Sequence, residues 1–120
     1  MTQTDDGLNH DADQHAFAYF NAKQREYLKS VLRDEIIDEY RRSPLGRHSE
    51  PLERLLAHFR RLPLGQQYAL RRGADGGFRM IALSGRRGVR PSDVGPDVFA
   101  TIEQGYIGIF LKQINDMMDS

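Results

Sequence analysis

The sequence predicts an α+β fold with the order α-α-β-β-α, in which three helices pack with a two-stranded antiparallel hairpin. Three stretches repeat apolar residues at helical spacing, and two short runs, QQYALRR and FRMIALS, flank the glycine-rich segment GADGG. Helical spacing indicates amphipathic helices, whereas short runs bounded by glycines indicate strands. A chain of 120 residues is long enough for one small domain.

Residues 1–13 predict a disordered acidic tail, which leaves residues 14–120 as a single small domain. The segment carries four aspartates, no lysine or arginine, and few apolar residues. Such a composition cannot bury enough apolar surface to offset the entropy of ordering. It also lacks the regions of a signal peptide, and no run approaches the roughly 20 apolar residues of a membrane span. We therefore expect a cytoplasmic chain with no membrane partner.

The first helix is predicted to run from His15 to about Arg42, since this stretch contains no proline or glycine. At about 1.5 Å per residue it is roughly 40 Å long, more than a domain of this size needs. Part of its apolar stripe is therefore expected to meet another chain. The stripe consists of aromatic and aliphatic residues at helical spacing: Phe17, Phe20, Tyr27, Leu28, Val31, Leu32, Ile36 and Tyr40.

A second helix is predicted from Ser49 or Glu50, with Pro51 in the first turn, where its missing N–H costs little. Its apolar face is Leu52, Leu55, Leu56 and Phe59, and Pro63 and Gly65 end it. The two strands follow at 66–72 and 78–84. Because a lone hairpin is marginally stable in water, it must pack on helices or extend another sheet.

Residues 85–98 contain three glycines and two prolines and predict a loop. The run TIEQ then matches a capping box, in which Thr101 and Gln104 satisfy amide groups at the start of a helix that reaches about Met118. Gly105 and Gly108 lie inside this helix and each cost about 1 kcal/mol relative to alanine. We expect them to let another backbone approach closely.

The sequence contains no pattern that predicts a catalytic, cofactor-binding or metal-binding site. The absence of cysteine excludes disulfides, thiol catalysis and cysteine-ligated metals within this chain. His10, His15, His48 and His58 do not have metal-ligand spacing, and no nucleophile elbow occurs. The run SGRRGVRP lacks the lysine of a phosphate loop and has a proline where a helix should begin.

The middle of the chain is rich in arginine, although the net charge is zero. Residues 43–95 hold ten arginines and four acids, whereas residues 96–120 hold four acids and one lysine. Arginine suits protein interfaces because its planar fork binds carboxylates and stacks on rings. A small nucleic-acid-binding or regulatory module is the alternative, against which the neutral total charge and the acidic ends argue.

The succession RHSEPLERLLAHFRRLPLGQQYAL, FRMIALSGRRGV and FATIEQGYIGIFLKQI resembles the small, or alpha, subunit of N,N-dimethylformamidase. The resemblance covers roughly residues 15–118. The positions that carry it are aromatic, basic and capping residues: Phe17, Tyr19, Phe20, Arg47, His48, Leu52, Phe59, Arg60, Tyr68, Arg79, Phe99, Thr101, Ile109, Phe110 and Leu111.

This resemblance implies a heteromeric amidohydrolase that cleaves a small formamide to formate and dimethylamine. It also implies that the iron and the catalytic residues belong to a large partner subunit, which a non-catalytic small subunit stabilises. We expect aromatic residues and arginines of the small chain to contact that partner: Tyr68, Arg79, Arg86, Arg87, Tyr106 and Phe110. A homodimer formed through the first helix is a third interpretation.

Overall fold

The computed structural model describes residues 22–30 and 32–119. Contacts divide the chain into two compact units, Met1–Leu32 and Arg33–Ser120. The predicted acidic tail and the domain boundary after it lie outside the described residues. The elements in chain order are α1 (helical residues 22–30), α2 (Asp34–Arg42), α3 (Glu50–Arg60), a 3₁₀ turn (Leu64–Gln66), β1 (Tyr68–Arg72), β2 (Phe78–Ala82), β3 (Ser92–Asp93) and α4 (Ile102–Asp119).

The α+β class is confirmed, but the long first helix is interrupted. Arg33 has extended backbone angles, φ −136° and ψ 161°, and α2 begins after it. Two local features favour the break. The hydroxyl of Ser30 donates to the carbonyl of Tyr27 at 2.6 Å, which competes with helical bonding. Asp34 and Glu35 suit the first turn of a new helix, because its amino end is partly positive. The length of this helix therefore gives no reason to expect a partner on it.

Helix α3 begins where it was predicted, with Ser49 as its N-cap and Pro51 in its first turn. The Ser49 side chain does not cap the helix, because both its hydroxyl and its backbone N–H donate to the carboxylate of Glu39 at 2.6 Å. These bonds hold the pKa of Glu39 below its ordinary value. They anchor the start of α3 to the helix before it.

The hairpin is confirmed, and a short third strand joins it. Strands β1 and β2 pair antiparallel with Leu70 opposite Met80, and β3 pairs antiparallel with β2 through Ser92 and Asp93. The sequence analysis missed β3 because two exposed residues carry no alternating apolar pattern. The side chain of Arg71 on β1 bonds to Asp93 across the sheet at 2.7 Å.

The capping box of α4 forms with one change from the prediction. Thr101 accepts the N–H of Gln104 at 3.1 Å, while the side chain of Gln104 accepts the N–H of Ala100 rather than that of Thr101. Side chains, not a backbone, approach the two helix glycines. A Cβ on Gly105 would lie 2.5 Å from a methyl of Leu70, and one on Gly108 would lie 2.6 Å from the ring of Phe99.

Three aromatic rings from three helices form the centre of the core. Phe110 of α4 is 1% exposed, stacks on Tyr40 of α2 at 4.2 Å between centroids, and meets Phe59 of α3 edge-on at 6.2 Å. The other buried apolar residues of this unit are Leu52, Leu55, Met80, Ile109, Ile114 and Met117. We call Tyr40, Phe59 and Phe110 the aromatic core. None of the described helices is long and apolar enough to cross a membrane.

Candidate partner interface

The most distinctive surface of the described chain is a groove beside the loop SGRRGVRP. It has a volume of about 330 Å³ and is lined by apolar and arginine side chains together with loop backbone: Leu64, Leu83, Ser84, Gly85, Arg86, Arg87, Val89 and Pro91. Leu64 is 59% exposed and Val89 is 53% exposed. We call this feature the arginine groove. Exposed apolar side chains next to a charged rim are typical of a protein contact surface.

Local hydrogen bonds give the loop a defined shape. The hydroxyl of Ser84 bonds to the carbonyl of Val89 at 2.9 Å and accepts the N–H of Arg86 at 3.1 Å. Val89 in turn donates its N–H to the carbonyl of Arg86 at 3.2 Å, which closes a turn. Because this turn is formed within the chain, little ordering entropy remains to be lost when a partner binds.

The loop requires glycine at position 85, both for its backbone conformation and for lack of space. Gly85 has φ +67°, in the left-handed region that disfavours side chains, and a Cβ there would lie 2.7 Å from the backbone nitrogen of Gly65. The loop thus packs directly against the 3₁₀ turn that carries Leu64. This close approach sets the distance between the two sides of the arginine groove.

Among the described residues, two arginines of the loop lack the carboxylate partner that Arg54 and Arg71 have. Arg54 lies 2.6 Å from Glu50, and Arg71 lies 2.7 Å from Asp93. Arg86 and Arg87 are exposed, and no carboxylate lies within 4.0 Å of either among the residues that the structure covers. The loop therefore presents positive charge that this part of the chain does not neutralise.

Arg79 lies on the same side of the hairpin as part of the groove. Side chains alternate along a strand, so Arg79, Ile81 and Leu83 share one face of β2 and its continuation. The ladder extends to Leu83, whose N–H donates to the carbonyl of Gln67 at 3.0 Å. Leu83 also lines the groove, so this face leads from Arg79 to Arg86 and Arg87. The structure thus brings three of the six predicted contact residues to one side.

Tyr68 lies on the opposite face, where it joins β1 to α4. Its hydroxyl donates to the carboxylate of Asp116, which also binds Lys112 at 2.8 Å, and the ammonium of Lys112 lies 5.9 Å from the Tyr68 ring. Partial burial and the bond to Asp116 raise the pKa of Tyr68. The bond to Asp116 likewise raises the pKa of Lys112. These contacts occupy Tyr68 within the chain.

Tyr106 and Phe110 lie in a third region, between the helices. Tyr106 borders an open groove of about 320 Å³ that also involves Tyr40 and His48. The ring nitrogens of His48 lie 2.7 Å from the carbonyl of Ser43 and 3.2 Å from the carboxylate of Glu53. Phe110 belongs to the aromatic core and has almost no accessible surface of its own. The six predicted residues therefore do not form one patch.

The sequence analysis missed the apolar part of the arginine groove. The sequence analysis assigns no role to Leu64 or Val89. A signal was present, because each is an apolar residue beside glycine or proline with no periodic neighbour to pack against. No group of three or more His, Asp or Glu that could hold a metal ion occurs in the described part of the chain.

Comparisons with known proteins agree with the resemblance. The family model of the N,N-dimethylformamidase alpha subunit matches residues 15–120. The chain is also similar to the N,N-dimethylformamidase alpha subunit of Paracoccus aminophilus. The two are 32% identical over 106 residues, which cover 84% of this chain and 74% of that protein.

Proposed function

The chain belongs to the family of N,N-dimethylformamidase alpha subunits, and we propose that it is the non-catalytic small subunit of such an enzyme. Its partner in this proposal is a large subunit that hydrolyses a small formamide to formate and dimethylamine. The small chain stabilises that subunit by covering part of its surface. A cytoplasmic location, expected from the sequence, is part of the same proposal.

The observation that carries the proposal is the arginine groove. It combines two exposed apolar side chains, Leu64 and Val89, with Arg86 and Arg87, which lack a carboxylate partner among the described residues. Exposed apolar surface contributes to binding when it is buried, and arginine is enriched where interfaces lose water. A turn held by Ser84 presents both kinds of group together.

The groove defines the chemistry that the large subunit has to offer. An aliphatic or aromatic side chain would fill the space between Leu64 and Val89, and a carboxylate or a free backbone carbonyl would meet the guanidinium groups of Arg86 and Arg87. Arg79, on the connected sheet face, extends the positive surface. A contact of this kind is specific because a partner with a basic edge would be repelled.

The reaction itself is assigned to the partner in this proposal, including the iron expected from the resemblance. A metal ion in such a site activates water for attack on the formamide carbonyl. Among the described residues of the small chain, no group of three or more His, Asp or Glu could hold such a metal. In this proposal the small chain contributes through the surface that it covers.

The proposal is tested by co-expressing the chain with its large subunit and measuring complex formation by size-exclusion chromatography. The double charge reversal Arg86→Glu with Arg87→Glu is expected to weaken assembly by a factor of about 100, since truncation of a paired interface charge costs about 2–5 kcal/mol. The folded stability of the small chain should change by less than about 1 kcal/mol, because both side chains are exposed.

Arg41→Glu with Arg42→Glu is the matched control, since these adjacent exposed arginines of α2 lie outside the groove. That variant should still assemble. If the groove variant co-elutes with the large subunit as the wild type does, the groove is not the contact surface. Full amidase activity and stability of the large subunit alone would reject the stabilising role.

A further inference from the structure

The two sides of the β1–β2 hairpin have different neighbours in the fold. On β2, Phe78 exchanges both backbone hydrogen bonds with Phe99, at 2.8 and 2.7 Å. Met80 accepts the N–H of Val94 at 2.9 Å, and Ala82 lies opposite Ser92 of β3. Phe78, Met80 and Ala82, whose backbone groups point away from β1, thus each have a neighbouring backbone segment on that side. This side of the hairpin is therefore covered by β3 and the segment around Phe99.

The outer edge of β1 has no such cover. Just beyond the two ends of the β1–β2 ladder, Leu83 donates to Gln67 and Gly73 donates to Gly77. Because bonding alternates along an antiparallel pair, these bonds place the N–H and C=O groups of Ala69 and Arg71 toward β2. The backbone groups of Tyr68, Leu70 and Arg72 then point away from the sheet. No hydrogen bond to them occurs among the described residues.

We propose that this edge pairs antiparallel with β1 of a second copy of the chain, about a two-fold axis at Leu70. The register places Leu70 opposite Leu70 of the second copy and Tyr68 opposite its Arg72. All outward backbone groups of both strands are then satisfied, and two three-stranded sheets become one. A two-fold contact of this kind requires a self-complementary surface.

The charges along the edge are self-complementary. One end carries Arg72, which is exposed, lies 5.8 Å from the ring of Phe78, and has no carboxylate partner among the described residues. At the other end, the Tyr68 hydroxyl is bonded to Asp116 near the carboxyl end of α4, where the helix dipole is negative. Asp119 lies in the same last turn, so this end holds two carboxylates against the single ammonium of Lys112, which is bonded to Asp116. Antiparallel pairing brings Arg72 of each copy to this acidic end of the other.

The second sheet face adds no obstacle to the pairing. Ala69 would lie opposite Arg71 of the second copy, a small residue opposite a large one. Arg71 is already neutralised within its own chain by Asp93, so its positive charge does not oppose the contact. The strand contains no proline, and of its two charged residues Arg71 is paired with Asp93 in its own chain, while Arg72 would meet carboxylates of the second copy.

The alternation of bonding along β1 supplies a sharp test with the full-length chain. Arg72→Pro removes an outward N–H and leaves the bonds to β2 in place, and edge strands tolerate proline. Sedimentation velocity over a range of concentrations should show a monomer–dimer equilibrium for the wild type. We expect the substitution to raise the dimer dissociation constant by about tenfold or more, because it removes one hydrogen bond on each side of the axis.

Two further variants distinguish the contribution of the outward N–H at position 72 from that of the Arg72 side chain and from damage to the fold. Arg72→Ala keeps the N–H and loses the charge, so it should weaken the dimer less than the proline does. Arg71→Pro removes an N–H that bonds to β2, so it should destabilise the fold itself, which thermal unfolding detects. Arg72→Pro should leave the unfolding temperature nearly unchanged. A dimer that is equally tight with proline at position 72 overturns the proposal.

Amide hydrogen exchange, measured for each residue of β1, shows whether a second copy or the large subunit pairs with this edge. In the second-copy arrangement, the amides of Leu70 and Arg72 gain protection as the concentration of the isolated chain rises, while those of Ala69 and Arg71 are protected throughout. A chain that remains monomeric into the high micromolar range overturns the proposal. So does protection of Leu70 and Arg72 that appears only when the large subunit is added. Neither result bears on the arginine groove, which is tested by its own variants.

Discussion

The aromatic core and the arginine groove use similar residue types for opposite purposes. In the core, Tyr40, Phe59 and Phe110 come from three helices and bury one another almost completely. In the groove, Leu64 and Val89 remain more than half exposed beside a turn that is held by hydrogen bonds. Apolar side chains that meet within the chain stabilise the fold, whereas those kept apart on a shaped surface are available to a partner.

This difference means that stability and assembly can be separated by substitution. Core residues couple to each other through shared contacts, so their loss is felt across three helices. The groove residues contact one turn and one loop, and their loss leaves the helices in place. Substitutions in the two regions should therefore produce distinct signatures, a change in unfolding free energy for the core and a change in complex formation for the groove.

The largest effect is expected at Phe110. Replacement by alanine removes a fully buried ring and should lower the free energy of unfolding by about 3–5 kcal/mol, a large part of the stability of a small domain. Urea unfolding followed by circular dichroism measures this loss. Val98→Ala is the control, because Val98 is 46% exposed and its loss should cost no more than about 0.5 kcal/mol. Equal stability of the two variants would contradict the assignment of Phe110 to the core.

An intermediate effect is expected at the glycines of the loop. Gly88→Ala places a side chain at φ +79° with open space around it, which should cost about 1 kcal/mol. Gly85→Ala adds a clash with the backbone of Gly65 and should cost about 2 kcal/mol or more. Thermal unfolding ranks the two variants. Only Gly85→Ala should also weaken complex formation, since it separates the two sides of the arginine groove.

The smallest effect is expected at Glu39, one residue before Tyr40 of the aromatic core. Its pKa is lowered by the bonds from Ser49, so the interaction contributes stability above the ordinary value of 4.5 and is lost as pH falls through the lowered value. Glu39→Gln should therefore lower the unfolding temperature slightly at about pH 7 and have less effect at about pH 3.

Ser49→Ala removes the hydroxyl donor and supplies the cross-check for Glu39. Because the two residues act as a pair, the double variant should lose less stability than the sum of the single variants. Additive losses, or an acid dependence that survives Glu39→Gln, would show that another group is responsible for the loss of stability in acid.

Local sequence signals predicted most of the elements but not the break in the first helix. Pro51, the glycines of GADGG and the pair Thr101–Gln104 act over a few residues, so their effect is visible without tertiary contacts. The break before α2 is accompanied by a side-chain bond from Ser30 to the carbonyl of Tyr27, within a helical pattern that is otherwise continuous. Strand β3 exists only because β2 presents an edge to pair with, and a two-residue partner leaves no periodic signal.

The predicted contact residues also divide into those with a local sequence signal and those whose surroundings depend on tertiary contacts. Arg86 and Arg87 were predicted as contacts because charge in a glycine-rich loop has no local partner, and in the structure both are exposed. Phe110 was placed at the interface because an apolar stripe looks the same whether its own chain or another chain covers it. Only the positions of Tyr40 and Phe59 show that the chain itself covers this ring. Tyr68 was predicted at the interface for the same reason, and the structure shows its hydroxyl bonded to Asp116 of the same chain.

The order in which the aromatic core is assembled has a consequence for synthesis. Leu52, Leu55 and Phe59 are made some fifty residues before Phe110 closes over them. While the ribosome adds the intervening residues, this apolar face of α3 lacks the ring that buries it, and exposed apolar surface is what chaperones bind and what leads to aggregation. The nascent chain is therefore most vulnerable before α4 emerges, and a stop codon anywhere ahead of Phe110 should yield a product that is degraded rather than a shorter subunit.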